Sequence, residues 1–289
     1  MKKKVNIILN CFNGSEFLEE CLKNIQNQTF KDWDLIFWDN CSTDNSSEIF
    51  KNFRDIRFKY FLAKKHTNLG EARELAIKET NCDFVAFIDV DDGWSKDKLE
   101  KQIEVFKDSK VGLSCSNYYI ISNNYKRIFR NSKLPSGKIT NQLLKDYHIS
   151  WHTVMIRMEA FKDLNYIFNK NYHIINDFDL VLRISLNWNI LSIDYPLGFM
   201  RVHNNQEMKK KKVLHIKENL RFILKKKNIF LYRDFTKFYY FTDKILYEKI
   251  SYQIKDISIS KFIRSVFLIN SLILKTKLFA KYFLKFFIK

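Results

Sequence analysis

Phe84-Val85-Ala86-Phe87-Ile88-Asp89-Val90-Asp91-Asp92 joins five consecutive apolar residues to three carboxylates within four positions. A short unbroken apolar run of this kind fits a strand buried in a sheet, and it delivers its carboxylates into the loop where it ends. Mutual repulsion makes such a cluster costly unless a cation compensates it. A hard divalent ion is the natural partner. Oxygen ligands suit Mn2+ or Mg2+, which would also clamp a substrate diphosphate.

Outward from this stretch, short β-rich runs alternate with helix-like ones. Val5 to Leu9 reads as a first strand, Leu35 to Trp38 as a second ending at Asp39, Phe58 to Leu62 as a third, and Phe84 to Ile88 as a fourth. Between them, Leu18, Cys21, Leu22 and Ile25 recur at helical spacing, with Asn13 as N-cap and Glu16 three residues on. The polar turn Cys41 to Asp44 starts another helix, Gly70 to Lys78 forms a third, and Ser95 caps a fourth whose Leu99, Ile103 and Phe106 face the core. The alternation predicts an α/β fold, a mostly parallel sheet flanked by helices. In open sheets of this class ligands bind beyond the carboxyl ends of the strands. Asn10 to Asn13, Asp39 and Asp89 all fall there. A single aspartate after a strand is an ordinary turn former; together with the acidic cluster these residues define one crevice.

Composition sets the limits. With 46% hydrophobic and 16% aromatic residues in 289, the chain has too much apolar surface to remain a solvating coil. The five cysteines are odd in number and lack any C-x-x-C pair, as expected of reduced, individually buried thiols in a cytoplasmic protein. The apolar run after Lys2, Lys3 and Lys4 is too short for a signal peptide. The net charge of +18 is uneven. Residues 205–289 hold 21 Lys and Arg against 6 Asp and Glu, whereas residues 1–204 are close to neutral. Two regions are therefore expected: a nearly neutral globular domain over 1–204, divided near residue 95 into halves 1–95 and 96–204 that the resemblance described next assigns to nucleotide-sugar and acceptor, and a basic, aromatic-rich helical extension over 205–289.

Several ordered motifs resemble family 2 glycosyltransferases of the GT-A fold, a Rossmann-like architecture. They are Val5 to Asn13, Trp33 to Asp44, Asn68-Leu69-Gly70-Glu71-Ala72-Arg73, the acidic cluster followed by Trp94, and Asn176-Asp177-Phe178-Asp179-Leu180. The resemblance covers roughly residues 5 to 204. It implies an inverting, metal-dependent hexosyltransferase that uses a UDP-sugar to extend a bacterial surface glycan: lipopolysaccharide or lipooligosaccharide, capsule, or a lipid-linked oligosaccharide. By the same resemblance Phe12 stacks on the base, Asp39 accepts from its ring N–H, and Asn13, Arg73 and Val90 line the nucleotide-sugar site. Asp89 touches the ribose and the metal's water shell, Asp91 ligates the metal, and His203 falls where related enzymes sometimes place a further ligand, a hydrogen-bonded loop histidine being the alternative. Asp177 matches the catalytic base. From position rather than resemblance, Trp94, directly after the acidic loop, is expected to floor the acceptor sugar by stacking on its apolar face, and Asp92 and His152 to fall on the acceptor side.

The chemistry needs these residue types. Negative charge builds on the departing diphosphate and a metal stabilises it; a carboxylate on the opposite face takes the proton of the attacking hydroxyl. The sequence departs from the family pattern at Asn10, where proline is common, at Glu74, where asparagine often follows the arginine, and at Asn176, where an acid often precedes the base.

Other candidates have plainer readings. His148 and His152 are four apart but lack the glutamate of a zinc helix. Arg183 is expected to partner a carboxylate, and Lys209 to Lys212 to be a solvated loop. Lys277, Lys281, Lys285 and Lys289 repeat every four residues among Leu278, Phe279, Tyr282, Phe283, Phe286 and Phe287. This pattern fits an amphipathic helix on an anionic membrane surface, placing the protein on the inner face of the bacterial cytoplasmic membrane; packing against the rest of the chain is the alternative. The net charge also raises nucleic-acid binding. A carboxylate-rich crevice argues against that partner, and a sugar-nucleotide-binding scaffold without activity is the other alternative. No signal for an oligomeric state is present.

Overall fold

A computed structural model describes residues 4–122, 124–203, 211, 213–222 and 236–253, and positions 263, 265, 266, 268, 269, 274, 275 and 278. The chain divides into two compact units, residues 1–139 with 148–206, and residues 140–147 with 207–289.

The first unit is built on a nine-stranded sheet. Strands β1 (Val5–Cys11), β2 (Trp33–Asp39), β3 (Phe58–Leu62) and β4 (Phe84–Asp89) pair in parallel in the order β3-β2-β1-β4. The register is offset so that Cys11 pairs with Asp39 and Asn10 with Asp89. Beyond β4 the sheet is mixed. The three-residue strand β8 (Met155–Arg157) runs antiparallel to β4 and to β6 (Val111–Ser122). In turn β6 pairs in parallel with β9 (Asn189–Arg201) and antiparallel with β7 (Tyr125–Ile128), while β5 (Gly93–Trp94) lies antiparallel on β9.

Alternation along β1 sends Val5, Ile7, Leu9 and Cys11 into one core. Leu18, Cys21, Leu22 and Ile25 of α1 (Ser15–Gln26), Phe50 of α2 (Ser46–Asn52), and Leu99 and Ile103 of α4 (Lys98–Val105) complete it. On the opposite face α3 (Leu69–Lys78) packs against β1 and β2. The short α6 (Glu159–Lys162) packs on β6 and β8, and α7 (Asn176–Ser185), almost wholly buried, packs on β6 and touches the start of α3.

Two caps differ from expectation. The N-cap of α1 is Gly14, because Asn13 adopts a left-handed φ of 53° and turns its side chain to accept from the Thr43 N–H at 2.7 Å. A Cβ at Gly14 would come 2.8 Å from Val90 Cγ1, so glycine lets α1 enter directly beneath the acidic loop. Similarly α4 is entered at Asp97, and the Ser95 hydroxyl donates to the Asp97 carboxylate at 2.7 Å instead of capping. His148 and His152 do not share a helix: 148–150 is irregular and Trp151–Thr153 is a single 3-10 turn.

In the second unit, α5 (Thr140–Lys145) packs with the helix Thr236–Gln253, so α5 groups with the later residues although it lies within the 96–204 range. Ile250, Val266, Ile269 and Leu278 form a small core. Among the described residues no helix is long and apolar enough to cross a membrane. The repeat at Lys277, Lys281, Lys285 and Lys289, with Phe279, Tyr282, Phe283, Phe286 and Phe287, lies outside the described residues, as do Lys209, Lys210 and Lys212.

Candidate active site

The carboxyl ends of β1, β2 and β4 form one polar edge. Asp39, at the end of β2, is 1% exposed; its Oδ1 accepts from the Ser42 N–H at 2.7 Å and its Oδ2 from the Tyr60 hydroxyl at 2.7 Å. Burial raises the pKa of Tyr60 and the bond to Asp39 adds to the rise, so this phenol stays a donor. Phe12, just past β1, is 49% exposed with its ring centroid 4.1 Å from that of His66. His66 Nδ1 lies 3.0 Å from the Asn40 carbonyl. An exposed aromatic beside a buried acceptor suits a flat heterocycle with a ring N–H.

At the end of β4, Asp89 accepts from Arg73 Nη2 at 2.8 Å. Arg73 is almost wholly buried, one turn into α3, with its guanidinium 4.8 Å from the Trp151 ring centroid. A tight turn follows, in which the Asp92 N–H donates to the Asp89 carbonyl at 3.0 Å. Val90, half-buried, packs on Gly14 and the core beneath. Asp91 Oδ2 lies 2.8 Å from His203 Nε2. Asp92 turns inward: Oδ2 is 3.1 Å from His152 Nδ1, and Oδ1 accepts from the Arg201 N–H at 3.2 Å. The Arg201 side chain donates from Nε to the Asp91 carbonyl at 3.3 Å and from Nη2 to Glu20 at 2.7 Å. Arg201 thus grips both aspartates of the loop.

Trp94 and His152 are 3% and 1% exposed, and Trp94 Nε1 donates to the His152 carbonyl at 2.6 Å. Both stand behind Asp92, not in front of it. Asp177 opens α7 half-buried. Its neighbour Asn176 packs against Gly70, where a Cβ would come 2.5 Å from Asn176 Nδ2. Gly70 is one turn from Arg73 on α3, which ties the start of α7 to the helix that holds Asp89. The second D-x-D acid, Asp179, is fully buried and paired with Arg183 at 2.9 Å; Arg183 also donates to the Tyr166 and Ile167 carbonyls. It is a structural clamp.

Among the described residues no three His, Cys, Asp or Glu side chains close into a metal cage. Mg2+ and Mn2+ sites need none, since one or two protein ligands plus substrate phosphates and water suffice. The Asp91–His203 spacing fits: donors on adjacent corners of an octahedron with arms of about 2.1 Å stand about 3 Å apart. Sequence reasoning missed Tyr60, Arg201 and His66. Only Arg201 carried a signal, since it lies two residues before His203.

The model for the family described as Glycosyl transferase family 2 matches residues 6–165. The chain belongs to glycosyl transferase family 2. The chain is 28% identical over 160 residues to TuaG of Bacillus subtilis, named for teichuronic acid biosynthesis, covering 55% of this chain and 64% of the relative. It is 31% identical over 152 residues to WfgD of Escherichia coli, a UDP-Glc:alpha-D-GlcNAc-diphosphoundecaprenol beta-1,3-glucosyltransferase, covering 53% of this chain and 59% of that one. The chain thus spans less than two thirds of the length of either relative. Among solved structures, S. aureus TarS 1-349 in complex with UDP-GlcNAc superposes with a TM-score of 0.68 at 16% identity, covering 98% of this chain and 89% of that one. The mannosyltransferase PcManGT of Pyrobaculum calidifontis, in complex with GDP-Man and Mn2+, gives 0.60 at 14% identity, covering 99% and 86%. At these identities the likeness shows the fold, which is the GT-A fold of the family 2 enzymes.

Proposed function

We propose that this glycosyltransferase moves a hexose or N-acetylhexosamine from a UDP-sugar to a sugar hydroxyl of a growing bacterial surface glycan, with inversion at the anomeric carbon. The observation that carries the proposal is the line of Asp39, the Arg73–Asp89 pair and the Asp91–His203 pair along one sheet edge. In this role Phe12 stacks on uracil and Asp39 accepts from its ring N–H, while Asn13 and Val90 shape the wall. Arg73 holds Asp89 towards the ribose. Asp91, with His203 and Asp89 beside it, holds Mn2+ or Mg2+, which when bound draws charge from the departing diphosphate.

Asp177 accepts the proton of the attacking hydroxyl. It sits half-buried in the first turn of α7. Asp92, turned inward onto His152 and the Arg201 N–H, braces the acceptor side from beneath, with Trp94 as the packed wall behind. The acceptor class is a glycan or lipid-linked glycan, as in the name of the E. coli relative. That acceptor, with the basic composition of 205–289, supports action at the inner face of the cytoplasmic membrane. Nucleic acid is not a partner in this scheme, because the carboxylate edge repels phosphate unless a metal is present.

The test is UDP release from a panel of UDP-sugars with Mn2+ or with chelator, for the parent and for Asp91→Asn and Asp177→Asn. Metal-dependent release lost in both variants is expected. Binding of a UDP-sugar without release identifies the inactive scaffold, and release indifferent to both substitutions refutes the proposal.

A further inference from the structure

Asn10 stands one residue before the end of β1, at a position where the chain departs from the proline common in the family. It is 9% exposed, and its side-chain Nδ2, shut off from solvent, has no hydrogen-bond partner. An amide donor buried without an acceptor is costly, so its retention calls for a cause. The proposed reaction gives Asn10 no task.

Its neighbours in the sheet define what is missing. Asn10 pairs in register with Trp38 of β2 on one side and with Asp89 of β4 on the other. In-register residues of parallel strands share a face, here the one against which α3 packs. Trp38 is 8% exposed, and its Nε1 is likewise buried without a partner; a donor cannot serve a donor. Arg73, reaching Asp89 from α3, also brings donors only. Of the two flanking side chains, Asp89 alone offers acceptors. Its Oδ1 takes Arg73 Nη2 at 2.8 Å, whereas its Oδ2 enters no hydrogen bond among the described residues. The Asp89 side chain is 34% exposed, so the space beside it opens on the crevice.

Asparagine and aspartate side chains have the same length, and adjacent strands are spaced by about 4.8 Å. No direct bond joins the Asn10 amide to Asp89. The spacing suits one oxygen between them, because two hydrogen bonds of about 2.8 Å meeting at a tetrahedral oxygen span about 4.6 Å. That oxygen must accept from an amide and donate to a carboxylate, and a hydroxyl does both. We propose that Asn10 is a specificity-determining residue of the donor site: with Asp89 it brackets one hydroxyl of the nucleotide's ribose, so that the site selects ribonucleotides over their deoxy counterparts. The role rests on the glycosyl-transfer proposal, in which Asp89 faces the ribose. Proline has no side-chain donor, so the bracket belongs to this chain's own asparagine.

The test is titration calorimetry of UDP, 2′-deoxy-UDP and 3′-deoxy-UDP, each with Mn2+, against the full chain and against Asn10→Leu, which keeps the side-chain volume and removes the donor. In the parent, one of the two deoxy nucleotides is expected to bind about tenfold more weakly than UDP, equivalent to about 1.4 kcal/mol. In Asn10→Leu that gap is expected to narrow to about threefold, the Asp89 half of the bracket remaining. Asn10→Ala is titrated in parallel, so that a leucine that prevents folding does not decide the outcome. A variant that has lost only packing binds all three nucleotides more weakly by one common factor, and that result overturns the role. So does a parent that binds the three alike. Absence of UDP binding in the parent overturns the function and this role together, whereas UDP bound without regard to either hydroxyl counts against the role of Asn10 alone.

Discussion

The imidazole Nε2 of His203 lies 2.8 Å from the Oδ2 of Asp91, a contact that spans 112 residues of sequence. It joins the tip of the acidic loop to the residue just past β9, and it is the pair best placed to share a cation. His203→Ala is expected to weaken Mn2+ binding in the presence of UDP about tenfold, measured by titration calorimetry. His203→Asp, which restores an oxygen ligand, is expected to recover part of the loss. Unchanged affinity in His203→Ala would make the pair a simple tether.

Arg73→Met removes a nearly buried cation and leaves Asp89 facing the crevice alone. The side chain of Asp89 is 34% exposed, so solvent screens part of the effect. A loss of about 1–2 kcal/mol is expected, below the roughly 3–5 kcal/mol of a fully buried pair. Urea unfolding measures the stability change, and UDP titration measures the accompanying loss of affinity.

Gly70→Ala separates catalysis from binding. In an exposed helix this change stabilises by about 1 kcal/mol. Here the new Cβ meets Asn176, so destabilisation of about 1–3 kcal/mol is expected instead. Because Asn176 precedes Asp177, kcat is expected to fall more than UDP affinity. An ordinary helical gain in thermal midpoint would show that the two helices do not press on one another.

Acid sensitivity should concentrate in two carboxylates. Burial opposes ionisation of Asp44, but bonds from the Ser46 hydroxyl and from the Ser15 and Ser46 N–H groups outweigh it and hold the carboxyl at about 2. Asp55 is held at about 2 chiefly by Arg57. Both are depressed in the fold, so the unfolded chain binds more protons between about pH 4 and pH 2. Their stabilisation is complete above that window and is lost as pH falls through it. In a double variant, Asp44→Asn with Asp55→Asn, the thermal midpoint is expected to fall less steeply from pH 4 to pH 2 than in the parent.

The four parallel strands are legible in the sequence because each is an apolar run that ends at a polar loop, and β3 and α3 lie within a residue of expectation. Their carboxyl-end aspartates follow from that placement alone. The mixed half is not legible: Met155–Arg157 is too short to show any period, and Gly93–Trp94 is a strand only because β9 lies beside it. Asn13 misleads for a related reason. Its side chain prefers the backbone of Thr43, thirty residues away, over the helix it precedes. Tyr60, His66 and Arg201 act through partners 21 to 181 positions distant in the chain, beyond the reach of local patterning.

Arg201 also sets a limit on how the protein can be trimmed. A fragment cut where the family match stops, at residue 165, would remove β9 and α7, and with them both hands that steady the aspartate turn. Such a piece would expose the long flank of β6 as an open edge ready to zip onto other chains. Expression work on the sugar-transfer unit therefore has to carry the chain past His203, and a shorter product that aggregates would say nothing about the chemistry.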